Sequence, residues 1–520
     1  MVSMSDKEQI AALSQAVKLP CGRVLPNRLV KAAMEEMLSP GTGLPSELDE
    51  ALYEVWTEGG WGMVITGNVQ VSPRHLGTPL DIVVPPSPVS PASLAAFSSW
   101  ARSARPATSS SQPSPLNLLQ LNHPGRQSAR ILCGRGPSSP ALAPSAVPLQ
   151  TGTGPLARAT SALAWGTPRE MSLREIDNVV EQFVAGARLA HESGWDGVEL
   201  HASHGYLLAQ FMSPKVNRRT DDYGGSARKR LTLLFRIIDA IRLELPQKKG
   251  FCLGVKLSSS DYVKGGLTEQ DALDNVKWIA EHGGIDFIEI SGGSYEHPEF
   301  MNATPNSPVR PSTALREAFF DAFSSRARWL VSTLPSSTLP SPAPLILLTG
   351  GFRSRTGIAR ALSTSTKSPP AADLAGLARP AAADPFLPLT LLAPTVPSTL
   401  AHAPVYDALS GVRWLRWLLG WLTVVGPGLD VLYHTLLLRQ IALHRLRDKR
   451  RFIALHGADA ASERAPVAVV RSGAGQAAFP LSNFWVLGWR VWVAPVVPGW
   501  VVGMAGALLF AVAGKRWRTE

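Results

Sequence analysis

The stretch from Trp195 to Arg230 reads WDGVELHASHGYLLAQFMSPKVNRRTDDYGGSARKR, and its first dozen residues decide how the rest of the chain is read. A short apolar strand, Gly197–Leu200, runs straight into His201, His204 and Tyr206. Side chains at the C-terminal end of a strand in a parallel barrel open into the mouth where active sites are built. Two imidazoles there can donate hydrogen bonds to one carbonyl oxygen, and a nearby phenol can supply a proton. A metal reading is weaker. Two histidines three apart lack a third ligand nearby, and the chain has no HExxH, so no zinc site is expected.

Working outward, the same strand-then-helix pattern repeats eight times before residue 390. Strands are expected at Leu29–Met34, Met63–Val69, Leu116–Leu121, Gly197–Leu200, Phe251–Leu257, Phe287–Ile290, Leu345–Thr349 and Asp373–Leu377. The clearest amphipathic helices are Leu173–Ser193, Ala227–Leu243 and Glu269–His282. Eight such units point to an α/β fold, a (β/α)8 TIM barrel, with a C-terminal hydrophobic and basic extension; a doubly wound sheet shares much of the pattern. The Pro-, Ser- and Gly-rich stretches 103–115, 134–160 and 332–344 read as loops.

The net charge of +11 is concentrated in the tail. Residues 401–520 hold 14 Lys and Arg against 6 Asp and Glu, so +8 of it lies there and the first 400 residues are nearly balanced. No nucleic-acid partner is expected. Cys21, Cys133 and Cys252 lie far apart in sequence with no CxxC, which excludes a cysteine-ligated iron–sulfur cluster and offers no disulfide framework. The N-terminus lacks a signal-peptide pattern.

Beyond residue 400 the chain is expected to form a helical extension packed on the barrel (401–450), then a linker and a membrane segment (451–520). The run 491–514 is 24 residues without a charge, flanked by basic residues, and eight of the 15 Trp follow residue 400. That length can cross a hydrocarbon core of about 30 Å, although Pro495 and Pro498 interrupt it. A cytoplasmic catalytic domain anchored to a membrane is the expected arrangement. Trp417–Leu429 reads as helix and loop, and Arg439–Arg451, with six basic residues and one acid, as a solvated or lipid-facing helix.

The segment 195–230 closely resembles the long signature of the Old Yellow Enzyme-like flavin oxidoreductases: DGVE-x-H-x-x-HGYL, F-x-SP, N-x-R-x-D-x-YGGS and a later Arg. NRLVKAAM at 27–34, QLNHPGRQ at 120–127, VKLSSSDY at 255–262, IEISGG at 288–293, LTGGFRS at 348–354 and ADLAGLARP at 372–380 follow in the family's order. The resemblance implies bound FMN, with NADPH or NADH as hydride donor and an α,β-unsaturated carbonyl compound as small-molecule substrate. It assigns substrate-carbonyl binding to His201 and His204 and proton donation to Tyr206. Its flavin contacts fall on Ala32, Ala33, Met34, Glu35, Asn68, Gln120 and Lys256, and its phosphate site on Gly350, Gly351, Ala378 and Arg379.

Three positions depart from the family pattern. Glu35 stands where Thr or Cys is usual, Lys256 where many relatives have Arg, and Ala378 where many have Gly. An ionised Glu35 is expected to lower the flavin potential, and a protonated one to donate a hydrogen bond. Ene reduction is the leading reading. Oxygen, a quinone or a nitro compound as acceptor is the second, and a membrane flavoprotein scaffold without turnover the third.

Overall fold

A computed structural model describes residues 4–456 apart from 107–112, 131–132, 137, 153, 293–295, 297–319, 340–341, 364–369 and 405–424. Eight parallel strands close on themselves: β1 Leu29–Lys31, β2 Met63–Gln70, β3 Leu116–Asn122, β4 Gly197–Ala202, β5 Cys252–Ser258, β6 Phe287–Ser291, β7 Leu345–Thr349 and β8 Leu374–Leu377. Each pairs with its sequence neighbours, and β1 pairs with both β2 and β8, so the ring is complete. Helices follow the strands in turn: α1 Glu47–Glu58, α2 Pro91–Ser103, α3 Leu173–Glu192, α4 Thr232–Glu244, α5 Glu269–His282, α6 Asp321–Thr333, α7 Arg355–Leu362 and α8 Val425–His456. This is the (β/α)8 barrel expected from the periodicity, with all eight strands at their expected places.

Local signals set the helix starts. Ser46, Ser172 and Thr268 each cap a helix whose third residue, Asp49, Glu175 or Asp271, bonds back to the cap. Such reciprocal boxes satisfy two backbone donors that the first turn leaves open.

Strand alternation sorts the core into two apolar clusters. Leu29, Val64, Leu119, Val198, Leu200, Val255, Ile288 and Ile290 pack outward with the helices. Val30, Met63, Ile65, Leu116, Leu118, Cys252, Phe287, Leu347 and Leu374 fill the barrel's lower interior, together with Leu19, Cys21 and Leu25. The last three come from a hairpin, Val17–Lys18 paired with Val24–Leu25, that plugs the floor.

α8 closes the helical layer along α1. Arg445 and Lys449 both reach Glu54 of α1, at 2.9 and 3.0 Å, and Arg450 reaches Glu47 at 3.1 Å. The basic run expected to be solvated or lipid-facing is thus a helix turned partly inward, because Glu54 is itself buried and needs countercharge. Of Trp417–Leu429, expected as helix and loop, residues 425–429 lie within α8, and those before residue 425 are outside the described residues. The stretch 134–160 is not all loop. Leu142–Ala143 pairs with Arg169–Glu170, and a helix runs from Pro155 to Ala164, where Pro at the first position and an Ala-rich run favour it. The apolar run 491–514 also lies outside the described residues, and among those described no helix is long and apolar enough to cross a membrane.

The barrel interior is tight where β5 meets β6. A Cβ at Gly254 would fall 2.1 Å from Cζ of Phe287, so the phenyl ring occupies the space a side chain would need. Gly254→Ala is therefore expected to cost about 1–3 kcal/mol in chemical denaturation. Adding Phe287→Leu should recover part of that loss, and equal stability of the single variant and the parent would contradict the packing.

Candidate active site

β4 ends in His201 and Ala202, and the chain then turns sharply. His204 adopts φ 57° and Gly205 φ 74°, both left-handed, before Tyr206 leads into the short helix Leu207–Met212. Left-handed backbone is strained for a residue with a Cβ, so His204 is held there by its surroundings. Its carbonyl accepts from Gln127 Nε2 at 2.8 Å, and its N–H donates to Ser258 Oγ at 3.2 Å. The turn folds the rings together: the His201 ring lies 5.1 Å from that of His204 and 4.6 Å from that of Tyr206, both edge-on.

The hydrogen bonds restrict the tautomers. Ser203 N–H donates to His201 Nδ1 at 3.3 Å, so that nitrogen is bare and Nε2 carries the proton of the neutral ring. His201 Nε2 faces His204 Nδ1 at 3.3 Å, and His204 Nε2 faces Ser291 Oγ, at the end of β6, at 3.0 Å. Burial holds both imidazoles well below the usual histidine range, with the Lys256 charge adding to it. Both rings are neutral hydrogen-bonding groups near pH 7.

Tyr206 also meets β1 and β2. Its hydroxyl donates to Glu35 Oε1 at 3.2 Å, and Asn68 Nδ2 donates to the same carboxyl oxygen. Asn68 Oδ1 is buried without a protein partner. Burial, then the charge of Asp81, pushes Glu35 up to about 8. The backbone carbonyl of Glu35 accepts from Thr435 Oγ1 of α8 at 3.2 Å, so α8 touches the site.

Below this level lies a polar layer of the barrel. Lys256 Nζ pairs with Glu289 Oε1 at 2.8 Å, and Gln120 Nε2 donates to Glu199 Oε2 at 2.6 Å. Burial and the neighbouring Glu289 charge hold Glu199 well above the carboxylate range. Burial opposes ionisation of Glu289 too, but the Lys256 cation and hydrogen bonds from Glu199, Lys256 and Thr349 together outweigh it and hold Glu289 below. One carboxyl is neutral and the other charged, which leaves the layer close to electrically balanced.

Of the residues singled out from sequence, the structure brings together His201, His204, Tyr206, Glu35 and Asn68. Gln120 pairs in register with Asn68, and Lys256 with His201. Ala32 and Ala33 are buried at the end of β1, with Met34 partly buried after them. Gly350 and Gly351, at φ 133° and 81°, and Ala378-Arg379 form a separate corner at the ends of the adjacent strands β7 and β8. Sequence reading missed Glu199, Glu289, Ser258 and Ser291. A signal was there: a lone acid inside an apolar strand, VEL and IEI, points inward at barrel register. It missed too the pair Lys31–Glu36, fully buried beside α1 at 2.8 Å, with Tyr53 Oη and Gly67 N–H also donating to Glu36.

The sequence profile of the NADH:flavin oxidoreductase / NADH oxidase family matches residues 114–323. The NADH-dependent flavin oxidoreductase iliE of Hypocrea jecorina (strain QM6a) is 40% identical over 381 residues, 73% of this chain and 88% of that protein. The iliE protein of Neonectria sp. (strain DH2) is 42% identical over 377 residues, 72% of this chain, which spans only 46% of that longer protein. In fold, morphinone reductase superposes with a TM-score of 0.54 at 20% identity, covering 73% of this chain and 88% of its own. The Old Yellow Enzyme homologue from Zymomonas mobilis does so at 0.54 and 19%, covering 76% and 99%. With a relative matched along nearly nine-tenths of its length, the chain belongs to the NADH:flavin oxidoreductase / NADH oxidase family, the FMN-dependent, NAD(P)H-using oxidoreductases of the Old Yellow Enzyme type.

Proposed function

We propose that the protein reduces the activated C=C bond of α,β-unsaturated carbonyl compounds. The observation that carries this reading is the His201–His204 pair, two neutral imidazoles with facing nitrogens 3.3 Å apart beside a phenol. The residues present suit FMN. Lys256 is a cation with three donor hydrogens, Gln120 and Asn68 add amide groups, and the buried Asn68 Oδ1 lacks a protein partner. Lys256 and Gln120 would meet the pyrimidine edge of the flavin, and Ala32, Ala33, Met34, Glu35 and Asn68 would line its ring. Gly350, Gly351, Ala378 and Arg379 would hold the phosphate, at the corner of the barrel where such groups commonly bind. When bound, FMN supplies a hydride taken from NADH or NADPH.

The protein groups do the rest. A substrate carbonyl oxygen set between the rings accepts a hydrogen bond from the His201 Nε2–H. It accepts a second from His204 Nδ1–H once Ser291 Oγ–H donates to His204 Nε2. Neutral rings can give both hydrogen bonds without surrendering a proton, and they stabilise the negative charge that develops on the oxygen. Tyr206, turned from Glu35 to the substrate, gives its phenolic proton to carbon. The His201→Ala/His204→Ala variant should lose roughly 10²–10³-fold in anaerobic turnover of cyclohexenone while remaining yellow. Tyr206→Phe should lose about 10²-fold or more. Turnover of the enone at the parent rate by both variants, or discharge only by oxygen, quinones or nitro compounds, would overturn the alkene reading.

Glu35 sharpens the expected pH dependence. With its carboxyl raised to about 8, it is mostly protonated at neutral pH and becomes a carboxylate only as the pH rises through that value. Glu35→Gln stays neutral throughout. Flavin midpoint potentials of parent and variant should therefore nearly coincide at neutral pH and diverge in alkali, the parent falling below. A gap of constant size across that range, read by spectroelectrochemistry, would contradict the assignment.

The charge-free run 491–514, between Arg490 and Lys515, supports membrane attachment of the catalytic barrel through its tail. Full-length protein should resist carbonate extraction from membranes, and a chain truncated before Phe484 should be released; release of both would remove the anchor.

A further inference from the structure

Two of the three cysteines, Cys21 and Cys252, are distant in sequence but not in space. Cys21 sits in the turn of the floor hairpin, and Cys252 opens β5 directly above it. Their sulfurs and a carboxylate oxygen of Asp286 all lie within 4.8 Å of one another. Cys252 is fully buried and Cys21 nearly so, but the residues after Cys21 are open: Gly22 and Arg23 are exposed, and nothing lies within 4 Å of a Cβ placed at Gly22. The hairpin tip is tethered by Arg23, whose Nε donates to the Gly250 carbonyl at 3.0 Å and whose guanidinium pairs loosely with Asp196. A small oxidant therefore needs only a shift of this exposed turn to reach Cys21.

A metal site is the competing use of the same trio, and Asp286 argues against it. Its Oδ2 accepts from Arg242 and from the Leu253 N–H, both at 2.8 Å, and its Oδ1 accepts from Gln247 at 2.9 Å. A carboxylate so engaged, beside a guanidinium, is a poor ligand for a dication. The two thiols have no such commitments to an ion. The Cys252 thiol beside Cys21 holds the Cys21 thiol below its ordinary range, whereas burial pushes Cys252 well up. This division of roles is that of an attacking and a resolving cysteine.

We propose that Cys21 and Cys252 are a peroxide-reactive thiol pair whose disulfide pins the N-terminal hairpin to the barrel floor. The Cys21 thiolate attacks one oxygen of hydrogen peroxide, the O–O bond breaks, and the departing hydroxide leaves as water with a proton from solvent, giving a sulfenic acid. The Cys252 sulfur, losing its proton, then attacks the Cys21 sulfur; the S–S bond forms as the S–OH bond breaks and a second water leaves. Two thiols are oxidised by two electrons and one peroxide is reduced to two waters. A dithiol reductant reverses the change. Because the bond joins residues more than two hundred positions apart, it constrains the unfolded chain strongly and should raise the thermal midpoint of the oxidised protein.

The experiment uses the full chain, reduced and then titrated with hydrogen peroxide, denatured, and labelled with iodoacetamide for mass analysis. The expected result is one labelled thiol, Cys133, in place of three, with a proteolytic fragment joining Cys21 to Cys252 and recovery of three labels after dithiothreitol. The buried Cys133, pushed to about 11, is the internal control. Cys252→Ser should stop at a dimedone-reactive Cys21, and Cys21→Ser should remove the reaction; far-UV circular dichroism establishes that each variant is folded. The parent measurement stands without the variants. Three labels after excess peroxide, a bridge to Cys133, or one zinc ion per chain that survives dialysis would each overturn the proposal.

Discussion

Closure of the barrel is the constraint from which the rest follows. Once β1 bonds to both β2 and β8, no strand edge remains, and each strand must send alternate residues to a common interior. Along β5 this puts Cys252, Gly254, Lys256 and Ser258 on the inward side, and along β6 Phe287, Glu289 and Ser291, while Val255 and Ile288 pack with the helices. The interior is therefore stratified by sequence position. The hairpin and an apolar layer fill the floor, a layer of charged and amide groups lies above, and the histidines stand at the mouth.

The polar layer is what a low-dielectric interior tolerates. Lys256, fully enclosed, is tolerable because Glu289 is ionised beside it, and Glu199 is tolerable because it is not. Burial, with the Lys256 charge adding to it, keeps both imidazoles neutral. A second buried system, Lys31 with Glu36 and Tyr53, stands on the outer side of β1, where Lys31 Nζ also lies 4.0 Å from the Trp56 ring. The two residues after Met34 thus divide: Glu36 is committed to structure, and Glu35 faces the site.

Much of this was legible in the sequence, because it rests on local period. Eight strands of three to eight residues and the long helices declare themselves through apolar spacing, and the His201, His204 and Tyr206 cluster lies on one continuous turn. What was not legible depends on partners far along the chain. Glu54 recruits Arg445 and Lys449 of α8 across nearly four hundred residues, so a run of basic residues that looks solvated is partly interior. Cys21 and Cys252 converge only because a hairpin folds under the barrel. The helix Pro155–Ala164 sits in a stretch whose Pro and Ser content reads as loop, and its short length gives little periodicity to count.

The contact between Thr435 and the Glu35 carbonyl has a consequence for synthesis. The first barrel strand to leave the ribosome cannot complete its pairing until β8 emerges, and the Glu35 backbone waits longer still for α8. A growing chain thus carries an open sheet edge through most of its translation, the condition in which nascent parallel sheets are most exposed to aggregation. Placing α8 against the residues that follow β1 makes a finished site a report that the whole barrel has been made.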